Sequence, residues 1–235
     1  MTTRSLAAQQ RSARASAWMA TPVEFAFSGG AIEALKWIAL VSMLIDHTHA
    51  ILFDAKFPVA EALGRLAFPL FAFTLGYNLA RHDPPKLRVA ARKMLIAGVV
   101  SQPFFWLMAG NLWRLNIFST FLATLGLIAL SRTPRTTARD IAMVALFLGA
   151  GALVDYFWYG IAITWASYYC CSSHTRASVL AFVASGLALT LFLALAIGWP
   201  AFTGLVALPL LWHAPRWQFS IARLPRLFFA FHPLH

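Results

Sequence analysis

The chain has 235 residues, 60% hydrophobic and only 11% charged, with a mean hydropathy of +0.69 and a formal charge of +11. A soluble core of this size needs far less apolar surface, so the composition excludes an ordinary soluble domain and points to a polytopic membrane protein. Gly-rich phosphate loops, GxSxG elbows, HExxH and paired CxxC motifs are absent from the sequence, which leaves soluble nucleotide-binding and hydrolase classes without support.

Residues 1–30 carry Arg4, Arg11 and Arg14 among Ser, Ala and Gln, with Glu24 as the only acid. No apolar core of about 7 to 15 residues follows the basic part, so the reading is a disordered basic cytoplasmic tail and not a secretory signal. From residue 31 to 235 the pattern is that of a single all-α transmembrane domain. Apolar windows of ~18 to 22 residues recur, each the length of a helix across a ~30 Å hydrocarbon core. Strands with open edges would leave backbone groups unpaired in lipid, so the spans are helical. About eight crossings are expected, near 33–53, 59–80, 94–110, 115–131, 140–158, 160–173, 177–197 and 199–213, with a short apolar segment at 224–235.

The loops orient this scheme. The N-terminal tail and the segments 81–93, 132–139, 174–176 and 214–226 hold 15 of the 19 Lys and Arg, whereas the opposite loops hold only Lys56 and Arg114. The positive-inside rule therefore places the N-terminus in the cytoplasm. The same spread of cations over separate loops, without a recognition motif or stacking array, argues against nucleic acid and for topology and anionic lipid. Cys170 and Cys171 are adjacent, which suits neither an unstrained disulfide nor a zinc site, and reads as small apolar filling.

Ionisable groups at membrane depth are expensive and mark function by default. The first crossing holds Lys36, Asp46, His47 and His49. Lys36 and His47 stand eleven residues apart, which aligns them within about 20° on one face and separates them by about 16 Å. Lys36 lies near the cytoplasmic mouth, where it either lines a site or snorkels to the interface. Adjacent helical residues diverge by about 100°, so Asp46 does not orient His47; its same-face neighbour is His49. The second crossing brings Arg65 about 10 Å down from its outer end, to the level of Asp46, and an Asp46–Arg65 ion pair is expected.

Asn116, Asp155 and Tyr159 sit at comparable depth and suggest a hydrated cavity opening outward, or else a network that joins helices. On the cytoplasmic side stand Asn78, Arg81 and His82, equally readable as a solvated helix end. His232 lies in the apolar tail FFAFHPLH and lines the site if that tail re-enters the membrane.

The blocks LKWIALVSMLIDH, GRLAFPLFAFTLGYNLARH, LNIFSTF, WYGIAI and FFAFHPLH together resemble the TraX family of conjugative-plasmid membrane proteins, over most of residues 33–235. Within that family the chain looks most like the counterpart from broad-host-range plasmids. The resemblance implies an inner-membrane protein that acetylates the N-terminus of a conjugative pilus subunit, with acetyl-coenzyme A as donor and the pilin and conjugative secretion machinery as partners. The family also looks related to membrane acyltransferases whose first helix carries a basic residue, ten residues, then a catalytic histidine, a spacing that Lys36 and His47 reproduce. On this reading His47 is the general base, with Asp46 and Arg65 beside it. Lys36, Asn78, Arg81 and His82 face the donor, and no metal is required. Two other classes remain open: a small transporter using the same charges as a relay, and a non-catalytic subunit of pilus assembly.

Overall fold

The computed structural model describes residues 3–23, 26–81, 84–218 and 220–221, and all named elements among them are helical. They run α1 Thr3–Met19, α2 Gly29–Leu52, α3 Pro58–Gly64, α4 Ala67–Ala80, α5 Pro84–Ala109, α6 Ile117–Ser131, α7 Thr137–Leu153, α8 Phe157–Ser173 and α9 Arg176–Ile197. A 3-10 helix at Trp199–Val206 then leads into α10 at Ala207–His213. Most of α2 to α9 fall on the expected segments, but α5 starts at Pro84 and not near 94, and the expected 59–80 crossing is broken into α3 and α4. Ser28, Asn116, Thr136 and Thr175 cap α2, α6, α7 and α9 through side-chain oxygens that accept the first free N–H groups.

Two differences concern the ends and the span count. Residues 3–19, expected in a disordered tail, form α1, a run rich in Ala, Gln and Arg with good helix propensity. It is tethered where Arg176 lies 4.9 Å from the Trp18 ring, Arg176 N–H donates to Thr21 O at 3.1 Å and Val23 N–H donates to His174 O at 2.7 Å. Among the described residues two helical runs, Pro58–Ala80 and Arg176–Ile197, are long and apolar enough to cross a membrane, not the eight expected. Helices α6, α7 and α8 run only 15, 17 and 17 residues. They are thus shorter than the ~20 residues of a full crossing.

The outer surface of the bundle is nonetheless apolar. Ile141, Val144 and Leu148 on α7 are exposed at helical spacing, as are Leu187, Leu191 and Leu195 on α9 and Val89, Ile96, Val100 and Leu107 on α5. Stripes of this extent, together with the two long apolar runs, point to a membrane protein.

Inside, helices meet through small residues. A Cβ on Gly76 of α4 would stand 2.5 Å from the Tyr168 backbone nitrogen and 2.6 Å from Ser167 Cβ of α8, so α4 and α8 touch at backbone distance. Fully buried Thr124, Thr164 and Ser167 satisfy their hydroxyls within their own helices, donating to Thr120, Gly160 and Ile163 carbonyls at 3.0, 2.8 and 2.7 Å. The C-terminal ends of α2, α5 and α7 and the N-terminal ends of α6 and α8 gather at one end of the bundle, around the cavity described next.

Candidate active site

His47 and Asp46 stand in the last two turns of α2. His47 Nδ1 is 2.8 Å from the Met43 carbonyl oxygen one turn back. A carbonyl only accepts, so Nδ1–H donates to it, and in the neutral ring Nε2 is then the acceptor. Among the described residues Nε2 has no hydrogen-bond partner, and the half-buried ring lines the cavity.

Asp46 points elsewhere and is met by Arg65, whose Nη2 donates to Asp46 Oδ1 at 2.6 Å with the two side chains 17% and 22% exposed. Arg65 falls in the two-residue break between α3 and α4, and its Nε donates to the Glu61 carbonyl at 3.4 Å. The close approach depends on Gly64, since a Cβ there would collide with the Asp46 carboxylate and Cβ. His49 does not join Asp46 as expected. It is buried, and its Nε2 accepts the Phe57 N–H at 2.7 Å, which pins the loop that leads into α3.

The facing wall is built by a short parallel bridge. Leu115 N–H donates to Leu153 O and Asp155 N–H donates to Leu115 O, each at 2.8 Å, and Thr120 Oγ1 donates to Asp155 O at 2.7 Å. Asp155 Oδ1 accepts the Tyr156 N–H at 3.0 Å. Tyr156 and Phe157 adopt left-handed φ values of 58° and 50°, costing on the order of 1–3 kcal/mol each, which the bridge and the Tyr156–Phe68 ring stack at 4.1 Å offset. Asn116, capping α6, uses every polar atom: Nδ2 donates to Gly98 O at 2.7 Å and to Ser101 Oγ at 2.9 Å, and Oδ1 accepts the Phe118 N–H at 3.2 Å. Its role is to join α5 to α6.

Between these walls lies a cavity of about 430 Å³ lined by Asp46, His47, Arg65, Arg114, Asn116, Asp155 and Tyr156, with Phe105, Phe118, Phe192 and Leu193 supplying an apolar side. The fold thus brings together five of the residues singled out in the sequence: Asp46, His47, Arg65, Asn116 and Asp155. Tyr159 is one layer back, stacked on Phe192 at 4.6 Å. Lys36, Asn78 and Arg81, expected to face a donor, do not line the cavity. Lys36 Nζ pairs with buried Glu33 at 2.8 Å, Arg81 donates to the Tyr77 hydroxyl, and Asn78 belongs to the far end of α4. Eleven residues of helix separate Lys36 from His47, which is why one stripe reaches two depths without sharing one chamber. His82 and His232 lie outside the described residues. Arg114 and Gly64 were missed; the signal for Arg114 was its position directly before the LNIFSTF block. Among the described residues no group of three or more His, Cys, Asp or Glu is placed to hold a metal ion.

A helical bundle with an apolar exterior and two Asp and two Arg facing one end cavity is the class of a membrane protein with a polar chamber. The family is defined more closely by sequence: the model described as TraX protein matches residues 31–235, and the chain belongs to the TraX family. Protein TraX of Escherichia coli is 32% identical over 165 residues, covering 69% of this chain and 65% of that protein. Protein TraX of Escherichia coli strain K12 is 33% identical over 138 residues, covering 57% and 54%. An uncharacterized protein of Rickettsia prowazekii, RP591, is 32% identical over 85 residues, covering 36% and 31%. The chain thus spans less than two thirds of the length of the curated relatives it matches. No solved structure matches it.

Proposed function

We propose that this chain is a membrane-embedded acetyltransferase that moves an acetyl group from acetyl-coenzyme A to the N-terminal amine of a conjugative pilus subunit. The observation that carries the reading is His47, whose Nδ1–H is fixed on the Met43 carbonyl and whose free Nε2 lines a cavity beside the Asp46–Arg65 pair. A neutral imidazole with one nitrogen committed and the other open is the form a general base requires.

In this reaction the acceptor amine attacks the thioester carbonyl and a C–N bond forms. His47 Nε2 takes the proton that the amine must lose. The negative charge on the carbonyl oxygen is stabilised by Arg65, whose guanidinium keeps further N–H donors beyond those held by Asp46 and the Glu61 carbonyl. Collapse breaks the C–S bond, and the departing thiolate recovers the proton from His47. The protein works in the bacterial inner membrane with a cytoplasmic N-terminus, and its partners are the pilin and the conjugative machinery.

The test is acetyl transfer by the purified protein in detergent from acetyl-coenzyme A to a peptide with a mature pilin N-terminus, followed by mass spectrometry. Wild type should transfer and His47→Ala should not, at unchanged folding; full transfer by His47→Ala sinks the assignment. A second reading, a non-catalytic subunit of pilus assembly, is favoured by the mutual satisfaction of Asp46 with Arg65 and of Asn116 with α5. It predicts that His47→Gln supports conjugation as well as wild type does.

A further inference from the structure

Arg114 is the second guanidinium of the cavity, and its situation is unlike that of Arg65. Its main chain is held hard: the Arg114 carbonyl accepts Gln102 Nε2 at 2.8 Å and Trp106 Nε1 at 2.9 Å, and the next residue is bridged to Leu153. Its guanidinium carbon sits 4.2 Å from the centroid of the Phe157 ring. Among the described residues the Arg114 side chain makes no salt bridge and donates no hydrogen bond. Asp155 lines the same cavity and interacts with the Arg114 charge at a distance, but its Oδ1 is engaged by the Tyr156 N–H and no hydrogen bond joins it to Arg114.

An arginine planted by its backbone, held over an aromatic ring and left without a hydrogen-bond partner for its fork of N–H donors is arranged for bidentate capture of an anion. We propose that Arg114, seated on Phe157, is an anion-binding subsite that takes a carboxylate or phosphate group of a ligand in the cavity. Arg65 is less suited to hold a full anion, because Asp46 already balances its charge and leaves it only spare N–H donors for a developing oxyanion. The apolar wall of Phe105, Phe118 and Phe192 limits water around the contact and strengthens it. The subsite stands on the geometry of the cavity; only its assignment to the donor's phosphates or to a carboxylate of the acceptor rests on the acyl-transfer reading.

The experiment is calorimetric titration of the full chain in detergent at low salt with pyrophosphate and, separately, with propionate. Wild type should bind at least one of them saturably, Arg114→Gln should weaken that binding by about tenfold or more, and Arg114→Lys should fall between, since Lys keeps the charge but not the fork. Phe157→Leu should weaken it by a few-fold through loss of the stacking face. Preference for pyrophosphate assigns the subsite to the donor, preference for propionate to the acceptor. Absence of saturable binding by wild type, or equal affinity in a folded Arg114→Gln protein, overturns the subsite. If Arg114→Gln does not fold, unchanged affinity in both Arg114→Lys and Phe157→Leu overturns it instead. Acetyl transfer measured alongside separates the two ideas: Arg114-dependent binding in a wild type that transfers nothing leaves the subsite and sinks the acetyltransferase, and transfer with Arg114-independent binding does the reverse.

Discussion

Asp46 and Arg65 are mutually necessary. Both side chains are largely withdrawn from solvent and meet at 2.6 Å, so neutralising one leaves the other charge uncompensated in the cavity wall. Asp46→Asn is expected to lower stability by about 3–5 kcal/mol, read from the unfolding midpoint in detergent. Asp46→Asn combined with Arg65→Gln should recover much of that loss, and additive losses in the double variant would refute a coupled pair. This contact was legible before the fold was known, because a helix descends ~1.5 Å per residue and depth alone brings Arg65 level with Asp46. The hydrogen bond from His47 Nδ1 to Met43 was not legible, since it depends on a rotamer. The commitment of His49 to Phe57 was hidden for a different reason: it depends on the path of the 53–57 loop, which no periodicity encodes. Glu33, the partner of Lys36, lies just before the Lys36–His47 stripe on which the reading of that helix was built.

At the scale of elements, most helices follow from hydropathy and capping residues; the start of α5 at Pro84 was not legible, because its first turns are rich in Lys and Arg and form no apolar run. Nor was the break at Arg65–Leu66, because the run from Pro58 to Ala80 is apolar on both sides of it. Glycines decide how near the helices come, and a glycine's role depends on what faces it. Gly76 of α4 faces the α8 backbone, so Gly76→Ala must push the two helices apart or distort α8. It is expected to cost about 1–3 kcal/mol, checked by thermal unfolding in detergent. Gly64→Ala acts differently, since its Cβ would meet the Asp46 side chain and not a backbone. It should perturb the Asp46–Arg65 pair and reduce acetyl transfer more than it lowers the melting midpoint. Equal behaviour of the two alanine variants in both assays would show that helix approach, and not the ion pair, is what glycine serves at position 64.

For the whole molecule the decisive property is which end of the bundle faces the cytoplasm. The cavity lies at the end where α2, α5 and α7 finish and α6 and α8 begin, close to Arg114 and away from the 132–139 and 174–176 loops. Counting the helix ends with the loops, most of the described Lys and Arg belong to the opposite end, where Arg132 donates to the Leu79 carbonyl and Arg176 packs over Trp18. The positive-inside rule predicts that the cavity opens toward the periplasm and that α1 lies in the cytoplasm. Single cysteines placed at exposed Ser12, Asn111 and Thr133, in a chain with Cys170 and Cys171 replaced by alanine, test this directly. A membrane-impermeant maleimide applied to spheroplasts should label position 111 and leave positions 12 and 133 unlabelled until the membrane is permeabilised. The reverse pattern would place the His47 chamber on the cytoplasmic side, where acetyl-coenzyme A enters it without a passage through the bundle and a secreted pilin N-terminus does not. That outcome would keep the histidine chemistry and replace the acceptor.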